Sequence, residues 1–138
     1  MAVEASVRTL RAFLKDEREA ASRYRRALPR FTDRAETDEL NACLASHERR
    51  IATLEGWIRR MGGPQTGDGD EGGDEDEEGD GGDAIRALEE SEDRSLKHYL
   101  DDVGKLDGDT RRLVAREILP EQVRTYDWVN DLRLNRLD

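Results

Sequence analysis

Glu17, His47, Glu92 and Gln122 are polar side chains set into otherwise apolar series. Glu17 interrupts Val3, Val7, Leu10, Leu14, Ala21, Tyr24 and Leu28, which recur at steps of four and three, the repeat of one helix face. His47 stands in the same way among Leu40, Leu44, Ile51, Leu54, Ile58 and Met61. Glu92 stands among Ile85, Leu88, Leu96 (or Ser95), Tyr99, Val103 and Leu106, and Gln122 among Leu119, Tyr126 and Val129. Two carboxylates, an imidazole and an amide would thus share one interior. A buried carboxylate is costly unless it is paired, protonated or bound to a cation. Three outcomes stay open on the residues alone. The layer could hold a metal ion. It could instead bond internally, through His47, Gln122, Tyr24, Tyr99 or trapped water, and only set helix register. Or the seams could be slightly rotated, letting the carboxylates reach solvent.

The elements that would position these groups follow from the same periodicity. Residues 3–30 read as a first helix, ended by Pro29 and the Phe31-Thr32-Asp33 turn. Residues 36–61 read as a second, stopped by Gly62-Gly63-Pro64, where glycine can take the left-handed cap and proline cannot continue the helix. Asp83 is placed to cap a third helix running to about Leu106. Gly108-Asp109-Thr110 reads as a turn with a ready cap, and a fourth helix then runs to about Arg136. Pro120 inside it removes a backbone donor and crowds the carbonyl four residues back, which predicts a kink or a break. The expected architecture is all-α: one four-helix-bundle domain over 1–138, with a first hairpin at about 3–62 and a second at about 84–136.

A shift of 75 residues aligns the two halves without a gap. Leu10 meets Ile85, Glu17 meets Glu92, Tyr24 meets Tyr99, Leu44 meets Leu119, His47 meets Gln122 and Leu54 meets Val129. Each half is a hairpin with a polar residue at the centre of each helix. Central residues share a layer whether neighbouring helices run parallel or antiparallel. Tyr24 and Tyr99 each follow their glutamate by seven residues, two turns along the same face.

Between the halves, residues 65–82 are almost pure Gly, Asp and Glu, a composition that cannot bury apolar surface and predicts a disordered loop. Residues 64–83 hold ten of the chain's 33 acids and no Lys or Arg, so the remainder carries 23 acids against 23 bases. The net charge of −10 is therefore local to this loop. No basic face speaks for nucleic acid. The Asp68-Gly69-Asp70-Glu71-Gly72 stretch lacks the ligand pattern of a calcium loop. Only Lys15, Lys97 and Lys105 are lysines; such Arg-rich, acid-rich usage fits a salt-loving source and equally a GC-rich genome. No apolar run approaches the roughly 20 residues that span a bilayer, and Met1-Ala2-Val3-Glu4 begins no signal pattern. A single cysteine, Cys43, excludes an internal disulfide. These features predict a cytoplasmic protein with no membrane or nucleic-acid partner, and leave homo-oligomerisation and an acidic-loop ligand open.

Three stretches carry a resemblance to a known family. They are Glu17 through Leu28, His47-Glu48-Arg49-Arg50 through Met61-Gly62-Gly63-Pro64, and Glu92-Asp93-Arg94-Ser95-Leu96-Lys97-His98-Tyr99. With a last helix carrying Glu121-Gln122, the chain resembles the ferritin-like four-helix-bundle proteins grouped as the domain of unknown function DUF2383. The acidic segment departs from the family's pattern. The resemblance implies a ferritin-like bundle and a metal-handling, stress-related role. Ferritin-like di-metal sites take one Glu from each of two helices and Glu-x-x-His from each of the others. Glu17 and Glu92 match the single glutamates and His47 one histidine, but Leu44, Leu119 and Gln122 stand where two glutamates and a histidine belong. Glu48 and Glu121 lie about 100° away from those positions on their helices. The resemblance therefore implies an incomplete di-iron set and, if a metal binds, one iron or manganese ion on Glu17, His47 and Glu92 with water. Oxygen and nitrogen ligands of this kind suit those metals. An enzyme is not expected.

The remaining chemistry-bearing residues read more simply. Cys43 and His47 share a helix face and could touch a soft metal, but a small buried cysteine accounts for Cys43 equally. His98 lies off the seam and is expected in solvent. Trp57 and Trp128 read as packing or interface anchors. No nucleophile elbow, phosphate loop or zinc-finger spacing occurs.

Overall fold

The computed structural model describes residues 2–62 and 81–135, and everything described is helix, turn or short connection, with no strand among the described residues. The acidic segment lies outside them, except that Gly81 and Gly82 already belong to the third helix. The elements are α1 (Ala2–Ala27), α2 (Arg34–Arg60), α3 (Gly81–Asp102), α4 (Gly108–Leu113) and α5 (Leu119–Asn135). A π-helical turn, Val114–Ile118, joins α4 to α5 without interruption, so the described residues form four long helices. Among the described residues no helix is long and apolar enough to cross a membrane.

Local chemistry sets the boundaries. α1 gives way to a short 3-10 turn, Leu28–Arg30, with Pro29 in its first turn, where a missing N–H costs least. Asp33 then caps α2, its carboxylate accepting from Glu36 N, so that helix starts two residues before the expected 36. At its far end Gly62 takes φ +86°, and its N–H closes on Arg59 O at 3.0 Å, as a glycine stop requires. α3 begins at Gly81, so Asp83 lies within its first turn and not at the capping position expected for it. α3 ends at Asp102, with a 3-10 turn over Val103–Lys105 before Leu106.

The last helix differs most from expectation. Asp107 caps it, accepting from Thr110 N at 2.9 Å, so Gly108-Asp109-Thr110 is its first turn and not the preceding loop. Asp107 also bonds to Ser6 of α1, which pins this end of the molecule. Pro120 does not break the chain. The π turn stands immediately before it and ends with Leu119 N–H reaching back five residues to Val114 O. This wider turn accommodates the missing donor and the crowded carbonyl ahead of proline. The buried stripe differs in part from the expected seam. Ile118, Gln122, Thr125, Val129 and Leu132 are buried, whereas Leu119 and Tyr126, expected on the seam, are half-buried.

Cross-helix pairs fix the directions. Arg18 meets Glu55 and Arg25 meets Glu48, so α1 and α2 are antiparallel. Tyr24 meets Glu92 and Tyr99 meets Glu17, so α1 and α3 are antiparallel too. Glu89 pairs with Arg133 and Glu92 with Thr125, which sets α5 antiparallel to α3. The apolar core is split in two. One cluster joins Val7, Leu10, Phe13 and Leu14 to Leu54, Trp57, Ile58, Tyr99, Leu106, Val114 and Ile118. The other joins Tyr24, Ala27 and Phe31 to Leu40, Cys43, Ala84, Ile85, Leu88, Val129 and Leu132. Each fully buried leucine in them contributes roughly 1.5–3 kcal/mol. Between the clusters lies the polar layer. The end of α2 packs in the first cluster and the start of α3 in the second, at opposite ends of the bundle.

Candidate functional site

All six polar residues singled out in the sequence meet in the middle of the bundle. Glu17, His47, Gln122, Tyr24 and Tyr99 are 0% exposed and Glu92 is 1% exposed. The carboxylates therefore do not reach solvent. Around them stand residues that seam periodicity did not single out: Arg50 at 2% exposure, Ser46 and Thr125.

His47 lies between the two carboxylates. Its Nδ1 is 2.6 Å from Glu17 Oε1 and its Nε2 is 2.7 Å from Glu92 Oε2. Only an imidazolium can donate from both nitrogens. Burial pulls the His47 pKa down and Arg50 adds to that, but Glu17 and the two hydrogen bonds outweigh both and raise it. With Nε2–H donated to Glu92, the 3.3 Å approach of Arg50 to that nitrogen joins two donors and is not a hydrogen bond.

Each carboxylate is saturated by donors. Glu92 accepts from Tyr24 OH (2.6 Å) and His47 on one oxygen, and from Gln122 Nε2 (2.9 Å) and Thr125 Oγ1 (2.8 Å) on the other. Glu17 accepts from His47 on one oxygen and from Tyr99 OH (2.6 Å) and Arg50 (3.3 Å) on the other. Burial would raise both carboxyl pKa values. Arg50 and His47 overcome it at Glu17, and hydrogen bonding and charge from His47 overcome it at Glu92, so both are lowered. Burial beside these anions pushes both tyrosines well above their ordinary value, so they remain proton donors. The layer thus holds two anions, Glu17 and Glu92, and two cations, His47 and Arg50, and is neutral as a whole.

Arg50 completes the arrangement. Its guanidinium donates to Glu17, to Gln122 Oε1, to Ser46 Oγ (3.2 Å) and to Thr125 Oγ1 (3.0 Å). Ser46 in turn donates to Glu121 at 2.7 Å, and Glu121 faces Arg49 and Arg124 at the rim. The Ser46 hydrogen bond, with Arg124 adding to it, outweighs burial and lowers the Glu121 pKa. An i+3 step from His47 could have flagged Arg50 as sharing its face. Arginine is rarely buried without a partner, and beyond Ser46 on its own helix its partners come from two other helices, α1 and α5, which local spacing does not show.

The 75-residue repeat reappears as an approximate twofold relation among these bonds. Tyr24 to Glu92 mirrors Tyr99 to Glu17. His47 to Glu17 mirrors Gln122 to Glu92, and Arg50 to Glu17 mirrors Thr125 to Glu92.

These donors fit a bound metal ion poorly. A metal-ligating imidazole needs one nitrogen lone pair, and here both nitrogens are directed at carboxylates on opposite edges of the ring. Arg50, not an ion, compensates the second carboxylate. Among the described residues no group of three or more His, Cys, Asp or Glu side chains is arranged to hold a metal. Cys43 is buried 4 residues from His47, but it interacts with Tyr24, and burial together with Glu92 pushes its thiol up to about 12. Thiolate chemistry at neutral pH does not follow from that environment.

His98 is not the solvated residue that its off-seam position suggests. It is part-buried between Asp16 (2.6 Å) and Asp102 (3.0 Å), and its ring meets Phe13 edge-on at 5.3 Å. Trp57 is buried in the first cluster and Trp128 packs against the second.

Set against known proteins, the chain matches no family model, no curated protein and no solved structure. Its class, a helical bundle with a buried, charge-neutral polar layer, accordingly rests on the geometry above.

Proposed function

We propose that this chain is a non-catalytic bundle of the ferritin-like kind. Its polar layer fixes helix register and pairing, and its task is performed by outer surfaces that bind a protein partner or another copy. The observation that carries this reading is Arg50. A buried guanidinium supplies the positive charge that a metal would otherwise bring to Glu17 and Glu92, while His47 has no lone pair to offer. The DUF2383 resemblance supports the ferritin-like assignment, as does the path of the chain. The end of α2 and the start of α3 lie at opposite ends. α2 has 27 residues and is about 40 Å long at 1.5 Å per residue. The 18 residues from 63 to 80 could span about 60 Å when extended, enough for a ferritin-type crossover.

The second reading is one iron or manganese ion on Glu17, His47 and Glu92, in a stress-related protein. It is favoured by the two buried carboxylates converging on one imidazole. It requires His47 to give up a proton and Arg50 to withdraw. Elemental mass spectrometry on protein purified from iron- and manganese-supplemented cells separates the two, with His47→Leu measured alongside. The expected content is far below one equivalent in both proteins. About one equivalent in the natural chain, lost in His47→Leu, would establish the metal reading and overturn ours.

A further inference from the structure

We infer that the interface between hairpin α1–α2 and hairpin α3–α5 is a heterospecific docking surface. Each hairpin recognises the other kind, from the same chain or from a second copy, and rejects its own kind. The inference goes beyond the register role and rests on how charge is divided between the halves.

Three residues lie where the approximate twofold axis brings a position against its own counterpart 75 residues away. Glu19 meets Arg94 at 3.0 Å, Ser46 meets Glu121 at 2.7 Å, and Arg50 meets Thr125 at 3.0 Å. At each of these positions the halves carry complementary residues, not identical ones. Were the first hairpin to pair with its own copy in this geometry, Glu19 would face Glu19 and the buried Arg50 would face Arg50. Were the second to do so, Arg94 would face Arg94 and Glu121 would face Glu121.

The buried layer discriminates in the same sense. The first hairpin brings Glu17, His47 and Arg50, a net charge of one positive; the second brings Glu92, one negative. Only the mixed pair is neutral. A pair of first hairpins would bury two surplus cations. A pair of second hairpins would bury two carboxylates with only tyrosine, glutamine and threonine donors. Like charges brought together across an interface disfavour the wrong pairing. The crossed bonds Tyr24 to Glu92 and Tyr99 to Glu17 would be available to any pairing, so they hold the hairpins together without choosing between partners. Choice comes from the axis positions and the net charge. Each copy of the chain carries both kinds of hairpin, so through this interface two copies associate only by reciprocal exchange, each mixed pair then containing one complete layer.

The test uses the full chain with a protease site inserted between residues 63 and 80. The folded protein is cut, unfolded in guanidinium, refolded, and its species are counted by native mass spectrometry. Mixed pairs are expected to exceed either like pair by at least about tenfold. Random proportions of the three pairs, or hairpins that no longer associate, would overturn the inference. A second protein carries Arg50→Thr with Thr125→Arg, which keeps the layer's composition but leaves each hairpin's contribution neutral. Its preference for mixed pairs is expected to fall, and an unchanged preference would overturn the role assigned to the layer. Circular dichroism confirms that this variant is helical before it is cut. Metal content is read separately, so failure of this inference is distinguishable from failure of the register reading.

Discussion

Arg50 and His47 hold their charges in the interior because each is opposed by a carboxylate within hydrogen-bonding distance. That arrangement has a definite pH signature. His47 has a raised pKa, so the stability it lends is full below its ordinary value of 6.5 and is lost as pH rises through the folded value. Glu17 and Glu92 have lowered pKa values, so their contribution is full above the ordinary 4.5 and is lost as pH falls through the folded values. The layer should therefore stabilise most between 4.5 and 6.5. Urea midpoints measured from about pH 3 to about pH 9, roughly two units beyond each ordinary pKa, for the natural chain and His47→Gln, check this. The variant should lose the decline on the alkaline side. An identical alkaline limb in both proteins would show that His47 is neutral in the fold.

At the scale of elements, α4 begins at a junction that does two jobs. Asp107 caps the helix through Thr110 N and, through Ser6, ties it to α1. The Thr110 backbone bond is the largest cause of its lowered pKa. Asp107→Ala should cost about 1–2 kcal/mol, the range of a strong cap, read from denaturant unfolding. Asp107→Asn, which keeps an acceptor oxygen, should recover most of that loss. If both variants cost the same, charge and not capping is what matters there. The π turn before Pro120 has a different consequence. It offsets α4 from α5 by an extra residue, and on the α5 side Thr125, with Gln122 and Val129, lies on the buried face and reaches Glu92.

Across the whole molecule, Arg50 is the side chain that joins α2 to α5 in the interior. It reaches Gln122 and Thr125 on α5 and Glu17 on α1. Removing one partner of a buried ion pair leaves an uncompensated charge, at a cost of about 3–5 kcal/mol. Arg50→Met should lose that much in equilibrium unfolding, with faster amide exchange along the α2–α5 side. A loss below about 1 kcal/mol, the scale of an exposed pair, would mean that Glu17 is satisfied without the guanidinium.

Periodicity in the chain determined the helices, the centrality of Glu17, His47, Glu92 and Gln122, and the correspondence of the halves. These are local regularities, written at steps of three and four and at a shift of 75. The stop at Gly62 was legible for the same reason, because a left-handed cap depends on one residue and its neighbours. What the sequence left open was how a buried carboxylate would be satisfied. Arg50 and Thr125 are 75 residues apart, and neither lies on the seam expected for its helix. Only packing brought Arg50 to Glu17, Thr125 to Glu92, and the two to each other. Thr125 stands three residues after Gln122 and Tyr126 four, both allowed by helical spacing, and only the packed structure decided that Thr125 faces inward. The tertiary structure thus decided that the layer is closed by an arginine, since compensation of buried charge depends on which helices meet and at what rotation.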